Sequence, residues 1–387
     1  MYTSARLRLT VAVLAGLAAL LYALVWLTAR NSDILDAQKL QAARTVLAGE
    51  QAILDARGVT PGADAATDDA LQAALIGPQT SEITTDRGSL RSKLTATNPN
   101  FAAAVVDMLR EAHVVAGDRV AIAYTGSFPA LDLATIAATE AIGAEPVVVS
   151  SVGASNWGAT DPSFTILDIE SLLADRGLIQ HRSVAAAVGG SLKRGPMTEA
   201  GRQAALAAIA RNGVRVIEEA TLHANVADRE RLYTAGGPVK AFINVGGGQV
   251  STGGGSFRER FLPGLTLDAE ADGNDGKGLL ARMRRRGIPV IHLDEIVGLA
   301  EQLRLPVAPA ATPPLGEGGP YQRDTRVRLA AGLGALILVV ALLGARVLAL
   351  APADERGFDA LTGTFGSSLR RSLRLRPTDA SLRPSDV

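Results

Sequence analysis

Six short and strongly apolar segments recur along the middle of the chain, and each is bounded by turn-forming residues. They are rich in Val, Ile and Ala and cover residues 119–123, 145–149, 183–188, 214–217, 240–245 and 288–293. Segments with helical spacing of apolar residues separate them. Short apolar strands that alternate with helices are typical of a parallel sheet buried under helices. We therefore predict an α/β fold with a mostly parallel, open sheet and helices on both faces.

Two longer apolar runs lie near the ends of the chain, over residues 9–28 and 329–350. The first run contains no charged residue, and the second contains only Arg346. A helix of about 20 apolar residues is long enough to cross a membrane. These runs predict two transmembrane helices that bracket the α/β domain, in a two-pass protein of the cell membrane. Arginines after the second run favour cytoplasmic ends, so the central domain is expected to be extracytoplasmic.

Composition divides the remainder of the chain into segments. Residues 1–8 form a short N-terminal segment, and residues 29–79 are predicted to be a stalk helix followed by a connector. The α/β domain is expected over residues 80–305. Five prolines from Pro306 to Pro320 predict an extended linker over residues 306–328. Residues 351–387 are rich in Arg and Ser and poor in large apolar residues, which predicts a disordered tail.

The residue types exclude several kinds of chemistry. The chain has no cysteine, which excludes disulfides and thiol nucleophiles. Basic and acidic residues balance at 39 each and aromatic residues make up 4%, so we expect no nucleic-acid partner. No histidine pair has zinc-ligand spacing. The glycine pattern of a dinucleotide-binding turn is missing after the first strand, where only Gly126 appears. We therefore expect no metal and no cofactor.

The loops that follow four of the predicted strands are rich in Gly, Ser, Thr and Asn. In an open parallel sheet, ligands bind outside the carboxyl ends of the strands, and exposed amides and hydroxyls attract anions. We predict a carboxylate or phosphate site at Thr125, Gly126, Ser150, Ser151, Ser155, Asn156, Gly189, Gly190, Asn244, Gly246, Gly247 and Gly248. Tight turns favour the same residue types for structural reasons, so each loop alone has a second interpretation.

Ser127 is the predicted nucleophile if the chain is an enzyme. It lies at the start of a predicted helix, where free amides and the helix dipole could stabilise an oxyanion. It could equally be a helix cap. Ser155 is a weaker candidate, because Trp157 replaces the second glycine of the nucleophile-elbow pattern. His292 is the histidine that lies at the end of a predicted strand, and it is a candidate base.

Three cations, Arg87, Arg91 and Lys93, precede the sheet and would suit a ligand with several carboxylates. Arg91 and Lys93 could instead belong to a solvated face of a helix. The sequence does not decide between these two interpretations.

Five unusual stretches follow one another in the central domain. They are TSEITTDRGSL at 80–90, TNPNFAA at 97–103, GSFPA at 126–130, SSVGASNWG at 150–158 and NVGGG at 244–248. In order and spacing they resemble the poly-gamma-glutamate system protein family. The resemblance covers residues 80–305.

The resemblance implies a bacterial membrane component that helps to make, export or process poly-gamma-glutamate, an anionic polymer of the cell surface and capsule. Its partners would be the polymer or the membrane subunits of the synthase. The resemblance carries over no catalytic residue. Two functions stay open: a membrane-anchored accessory protein that binds the anionic polymer, and a serine-dependent gamma-glutamyl hydrolase or transferase. A small-ligand sensor is a more distant third.

Overall fold

The computed structural model describes residues 36–59, 66–190, 197–218, 220–254, 261–267 and 276–322, with a few single residues near either end of the chain. Contacts divide the chain into one unit of residues 29–323 and another of residues 1–28 and 324–387. The α/β architecture belongs to the first unit.

The strands of the described residues agree closely with the sequence pattern. They are β1 (Thr84–Asp86), β2 (Arg119–Thr125), β3 (Glu145–Ser151), β4 (Ala154–Ser155), β5 (Ser183–Ala187), β6 (Arg215–Ile217), β7 (Val239–Val245), β8 (Gly264–Thr266) and β9 (Val290–Leu293). All six predicted strands are present, as β2, β3, β5, β6, β7 and β9. The sequence missed the short strands β1, β4 and β8, which are too brief to show a periodic pattern.

Helices connect most of these strands. They are α1 over residues 36–57, α2 (Ala70–Leu75), α3 (Leu90–Ala96), α4 (Phe101–Glu111), α5 (Pro129–Ala141), α6 (Ile166–Asp175), α7 (Glu199–Arg211), α8 (Leu222–Thr234), α9 (Gln249–Thr252), α10 (Leu279–Arg285) and α11 (Ile296–Gln302). A short 3-10 helix covers Gly319–Tyr321.

The large sheet has the strand order β6-β5-β3-β2-β7-β9-β8. Its strands are parallel except for β8, which pairs antiparallel with β9 at the edge. β1 and β4 form a separate parallel pair beside it. The prediction of an α/β fold with a mostly parallel sheet is therefore confirmed.

Both faces of the sheet are covered by helices, as the strand pattern predicts. Val120, Ile122 and Tyr124 of β2 pack into a core shared with α4, α5 and α6. Ala121 and Ala123 point the other way, into a core shared with α8 and α10. This alternation follows from the pleat of a strand, which sends successive side chains to opposite faces.

The order in which the chain adds strands to the sheet reverses at β2. It passes from β2 to β3, β5 and β6 on one side and then returns to place β7 on the other side of β2. Such a switch point opens a crevice between the loops that leave the two central strands. In this protein those loops follow β2 and β7.

The prediction of two transmembrane helices, and with it a two-pass membrane localisation, is wrong. Among the residues that the structure describes, no helix combines the length and the apolar character needed to cross a membrane. α5, α7 and α8 have 13 residues each, about 20 Å at the rise of an α-helix, whereas a bilayer core is about 30 Å thick. α1 is longer, but it carries charges such as Arg44 and Glu50 along its length.

Almost all residues of the two predicted spans, 9–28 and 329–350, lie outside the described residues, as do residues 1–8 and the predicted tail at 351–387. The fold class of the described chain is thus an α/β domain without bracketing membrane helices.

The predicted stalk helix is part of the α/β unit. Ala42, Val46 and Ile53 of α1 are fully buried in the same core as α4 and α5. At the start of α1, Lys39 forms an ion pair of 2.6 Å with Asp107 of α4. The sequence pattern of α1 showed an amphipathic helix, and the structure shows what covers its apolar face.

The first part of the predicted proline-rich linker packs back on the domain. The backbone of residues 306–322 exchanges hydrogen bonds with polar side chains of the N-terminal half: Pro309 and Pro314 accept from Gln72 and Asn100, and Ala308 donates to Thr95. The α/β unit is therefore larger than residues 80–305, because both flanking segments complete its surface.

Candidate functional site

The four Gly- and Ser-rich loops lie side by side along the edge where the parallel strands end, which we call the carboxyl edge. The loop after β5 meets the loop after β3, since Gly153 donates a backbone hydrogen bond to Val188 (2.8 Å). The loop after β3 meets the loop after β2, since Gly126 donates to Ser151 (3.1 Å). The strand order β5-β3-β2-β7 places the fourth loop next in line.

The loops after β2 and β7 enclose the crevice at the switch point. A methyl group added at Gly248 would lie 3.5 Å from Cγ2 of Thr125, and one added at Gly246 would lie 3.7 Å from the ring of Phe128. Thr125, Gly247 and Gly248 are half-buried. These three residues are therefore partly open to solvent on either side of the switch point.

Ser127 and Ser155 are brought together by an unusually close approach of two loops. A methyl group at Gly158 would lie 2.5 Å from the carbonyl oxygen of Gly126, so only glycine allows the backbones to approach this closely. The amide of Ser155 donates to Oγ of Ser127 (3.0 Å), and the hydroxyl of Thr125 lies 2.8 Å from the same oxygen. Both serines are half-buried.

Several predicted site residues are instead committed to the protein interior. Ser150 and Asn244 are 0% and 1% exposed, and their side chains bond to Ser183 and to the carbonyl of Gly246. The side chain of Asn156 accepts a hydrogen bond from the amide of Gly88 and donates one to the carbonyl of Gln79, so it fixes the segments before and after β1. These residues shape the edge without facing solvent.

Gly189 and Gly190, after β5, have φ angles of 92° and 81°, which glycine adopts without strain. Gly189 packs on Gly153, and Gly190 is exposed. They serve the turn geometry, at the far end of the row from the switch point.

For Lys93 the structure excludes one of the two interpretations that the sequence left open. Lys93 is 2% exposed rather than part of a solvated face, whereas Arg87 and Arg91 are exposed. Its Nζ donates to the carbonyl oxygen of Ser127 and lies 2.8 Å from Oγ of Ser155. It also lies 4.0 Å from the ring centroid of Phe128.

Burial lowers the pKa of Lys93 to about 7, because the charged ammonium loses its hydration. The nearby Asp132 of α5 opposes this effect. Asp132 is itself fully buried, and burial followed by the charge of Glu170 raises its pKa well above the usual value. An amine with a pKa near 7 exists in both protonation states at neutral pH, which is the property of a general base.

A second buried cation approaches the same edge from the opposite face of the sheet. Arg229 of α8 is 3% exposed, and its guanidinium donates to the carbonyls of Val149 and Ser150 and to Oγ of Ser151. Its Nε also donates to Oδ1 of Asn225 (3.0 Å). Within the described residues, neither Arg229 nor Lys93 forms an ion pair with a carboxylate.

Helical spacing could have indicated that the side chain of Lys93 is buried. Lys93, Ala96 and Thr97 are separated by three and four residues, which places them on one side of α3, and all three are buried. The predicted base His292 of β9 is also buried, at 2% exposure, and its Nδ1 lies 3.1 Å from the side-chain Nδ2 of Asn244. It therefore neighbours the end of β7, on the other side of the switch point from Ser155.

A cleft of about 770 Å³ lies between α8 and α10 and is rich in basic side chains, including Lys277. Glu230 forms ion pairs with both Arg282 (2.7 Å) and Arg286 (2.6 Å), so one carboxylate serves two guanidiniums and the cleft lining stays net positive. The carboxyl edge is the candidate favoured by its position, since open parallel sheets bind ligands where their strands end.

No protein-family model, curated protein or solved structure matches the chain. The resemblance to the poly-gamma-glutamate system protein family therefore stays a prediction from the five quoted stretches.

Proposed function

We propose that the α/β unit binds an anionic, carboxylate-bearing ligand at the carboxyl edge of its sheet, as an accessory protein of a poly-gamma-glutamate system. The observation that carries the binding proposal is the pair of buried cations, Lys93 and Arg229, which flank the Gly- and Ser-rich loops without a carboxylate partner.

A buried cation whose hydrogen bonds go to neutral acceptors is costly, even where a carboxylate such as Asp132 or Asp228 lies in its surroundings. The effective penalty for taking an ion out of water is several kcal/mol, and neutral hydrogen-bond acceptors recover only part of it. A bound carboxylate near this edge would add a negative charge and offset part of that penalty. Its attraction would act through protein rather than water, where charges are screened less.

The loops supply the neutral part of such a site. Thr125 offers a hydroxyl, and the backbone at Gly247 and Gly248 is open to approach because it carries no side chain. Hydroxyls and amides of this kind bind carboxylate oxygens and set their orientation. A crevice at a switch point is also where open α/β sheets most often hold ligands.

The resemblance in sequence supports the pathway part of the proposal. Poly-gamma-glutamate presents one carboxylate per residue, so it matches the ligand chemistry that the buried cations favour. The polymer and the synthase subunits are the proposed partners.

Calorimetric titration of the full chain with poly-gamma-glutamate of defined length tests the proposal. We expect saturable binding that weakens as salt increases, because added ions screen the attraction. Gly248 has φ −53°, so Gly248→Leu is compatible with the backbone and would fill the crevice beside Thr125. This variant should bind at least about tenfold more weakly, a loss of about 1.4 kcal/mol.

Gly298→Ala is the matched control, because a methyl group there meets no atom within 4 Å. Its affinity should equal that of the wild type. Equal affinity for Gly248→Leu would overturn the proposed site. A loss of binding in Lys277→Gln instead would place the polymer in the α8–α10 cleft. A titration without binding would overturn the ligand class.

A further inference from the structure

Beyond binding, the contacts around Ser155 form a second arrangement with chemical meaning. Oγ of Ser155 lies 2.8 Å from Nζ of Lys93, within hydrogen-bond distance of a nitrogen that can accept a proton. Lys93 is 2% exposed, whereas Ser155 is half-buried beside Ser127 of the loop after β2. The nitrogen is therefore sheltered from water and the hydroxyl is within reach of a ligand.

We infer that Ser155 and Lys93 form a nucleophile and general-base pair that transfers acyl groups from amides or esters, the gamma-glutamyl amide bond among them. This activity goes beyond the binding role proposed above, in which the chain needs no turnover.

Ser155 is a better nucleophile than Ser127 on geometry. Oγ of Ser127 already accepts a hydrogen bond from the amide of Ser155 (3.0 Å) and lies 2.8 Å from the hydroxyl of Thr125. Its backbone carbonyl, rather than its hydroxyl, contacts Lys93. Ser127 thereby orients both members of the pair, since it holds the Ser155 backbone through one oxygen and the Lys93 amine through the other.

The burial of Lys93 supports its role as a base. Desolvation lowers the pKa of the amine to about 7, so a large fraction of the molecules carries neutral Lys93 at neutral pH. The ionisable groups around it are Asp132 of α5, which acts on Lys93 directly, and Glu170 of α6, which acts on Asp132. A fully exposed lysine would be protonated at this pH and could not accept the serine proton.

The chemical steps balance with water as the only co-reactant. Oγ of Ser155 attacks the carbonyl carbon while its proton passes to Nζ of Lys93. The carbon–nitrogen bond then breaks, and the Lys93 ammonium returns the proton to the departing amine, which leaves an acyl ester on Ser155. Water attacks this ester, gives one proton to Lys93, and releases the carboxylic acid as Ser155 regains its proton. An amine in place of water gives transfer instead of hydrolysis.

A fluorophosphonate probe tests the pair without knowledge of the natural substrate. An activated serine displaces fluoride from phosphorus and forms a stable ester, which peptide mass spectrometry locates in the sequence. With the full chain, we expect the label on Ser155, formed at a rate that rises with pH and levels off above about pH 7 as Lys93 loses its proton.

Ser155→Ala should abolish the label. Lys93→Met should slow it at least about 100-fold, as expected when a general base is removed. Ser127→Ala should slow it less, by about tenfold, since positioning is loosened while the base remains. Ser163→Ala is the control, because Ser163 is exposed and bonds to Asp161. Its labelling rate should equal that of the wild type.

A label spread over exposed serines, or an unchanged rate in a folded Lys93→Met variant, would overturn the inference. If Lys93→Met does not fold, the pH profile of the wild type decides, since a rate that rises with hydroxide and never levels off contradicts a base of pKa about 7. The probe carries no glutamate. A negative result would therefore overturn the inference of an activated Ser155 without contradicting polymer binding, which the calorimetric titration tests.

Discussion

Lys93 and Arg229 approach the carboxyl edge from opposite faces of the sheet and are almost equally buried, at 2% and 3% exposure. Their partners differ. Arg229 holds the end of β3 through two backbone carbonyls and Ser151, while Lys93 reaches across two loops to Ser127 and Ser155. One cation braces a strand, and the other connects the loops that carry Ser127 and Ser155.

The difference between the two cations is chemical as well as structural. A guanidinium stays protonated at any ordinary pH and presents a rigid fork of donors, which suits it to fixed carbonyl groups. An ammonium sheds its proton readily when it is desolvated. Burial therefore leaves a permanent charge under β3 and a titratable base beside Ser155.

The largest expected effect is on stability, from Arg229→Met. The variant removes the donors that serve Val149, Ser150 and Ser151 and leaves buried acceptors unpaired, which should cost about 3 kcal/mol. Urea unfolding measures this loss. Arg231→Met is the matched control, because Arg231 lies on the same helix with its side chain 73% exposed, and it should cost less than about 1 kcal/mol. Equal losses would mean that Arg229 does not brace the strand.

The next effect concerns Lys93 and depends on pH. The pKa of Lys93 is about 7 in the folded chain, and its ordinary value is 10.5. At pH values between these two, the unfolded chain therefore carries one proton more than the folded chain. The penalty of burying the charge is fully present below about pH 7 and is relieved as pH rises. The free energy of unfolding should therefore increase, relative to Lys93→Met, by about 2 kcal/mol between pH 7 and 9.

Urea titrations of the wild type and Lys93→Met at several pH values measure this difference. Below pH 6 the difference between the two proteins should be constant, since Lys93 is protonated in both the folded and the unfolded state. A constant difference up to pH 9 would show that the amine keeps its proton, and Lys93 would then resemble Arg229 rather than a base.

The smallest expected effect extends the comparison to a buried acid. Glu50 of α1 is fully buried, and neither carboxyl oxygen has a hydrogen-bond partner among the described residues. Burial, and then the charge of Asp69, raises its pKa well above 4.5. Stability is therefore lost as pH rises above 4.5, because the unfolded chain ionises while the folded chain resists it.

Glu50→Gln removes this ionisation and keeps the shape of the side chain. It should be more stable than the wild type by about 1 kcal/mol at pH 8 and nearly equal to it at pH 4. Thermal melts at the two pH values test the sign. Asp55→Asn, on the same helix where the side chain is exposed, is the control and should change little at either pH. A destabilised Glu50→Gln at pH 8 would contradict a neutral Glu50.

Much of the fold was predictable because its signals are local. The six strands show as short β-branched runs, and the Gly- and Ser-rich loops follow them wherever the chain must turn from strand to helix. Loop composition predicted an anionic ligand and a site that includes Ser155, and both stay predictions. The prediction of two membrane spans from the long apolar runs is wrong, since no helix among the described residues is long and apolar enough to cross a membrane.

Local signals in the sequence identified six of the nine described strands and the small polar residues that end four of them, because backbone preference and side-chain periodicity act over a few residues. Long-range packing, in contrast, places β7 beside β2, residues 306–322 over the domain, and Lys93 between Ser127 and Ser155. Such contacts join residues far apart in the chain. They depend on how whole elements pack, and packing in turn sets the burial that makes Lys93 a base and leaves Arg229 a cation.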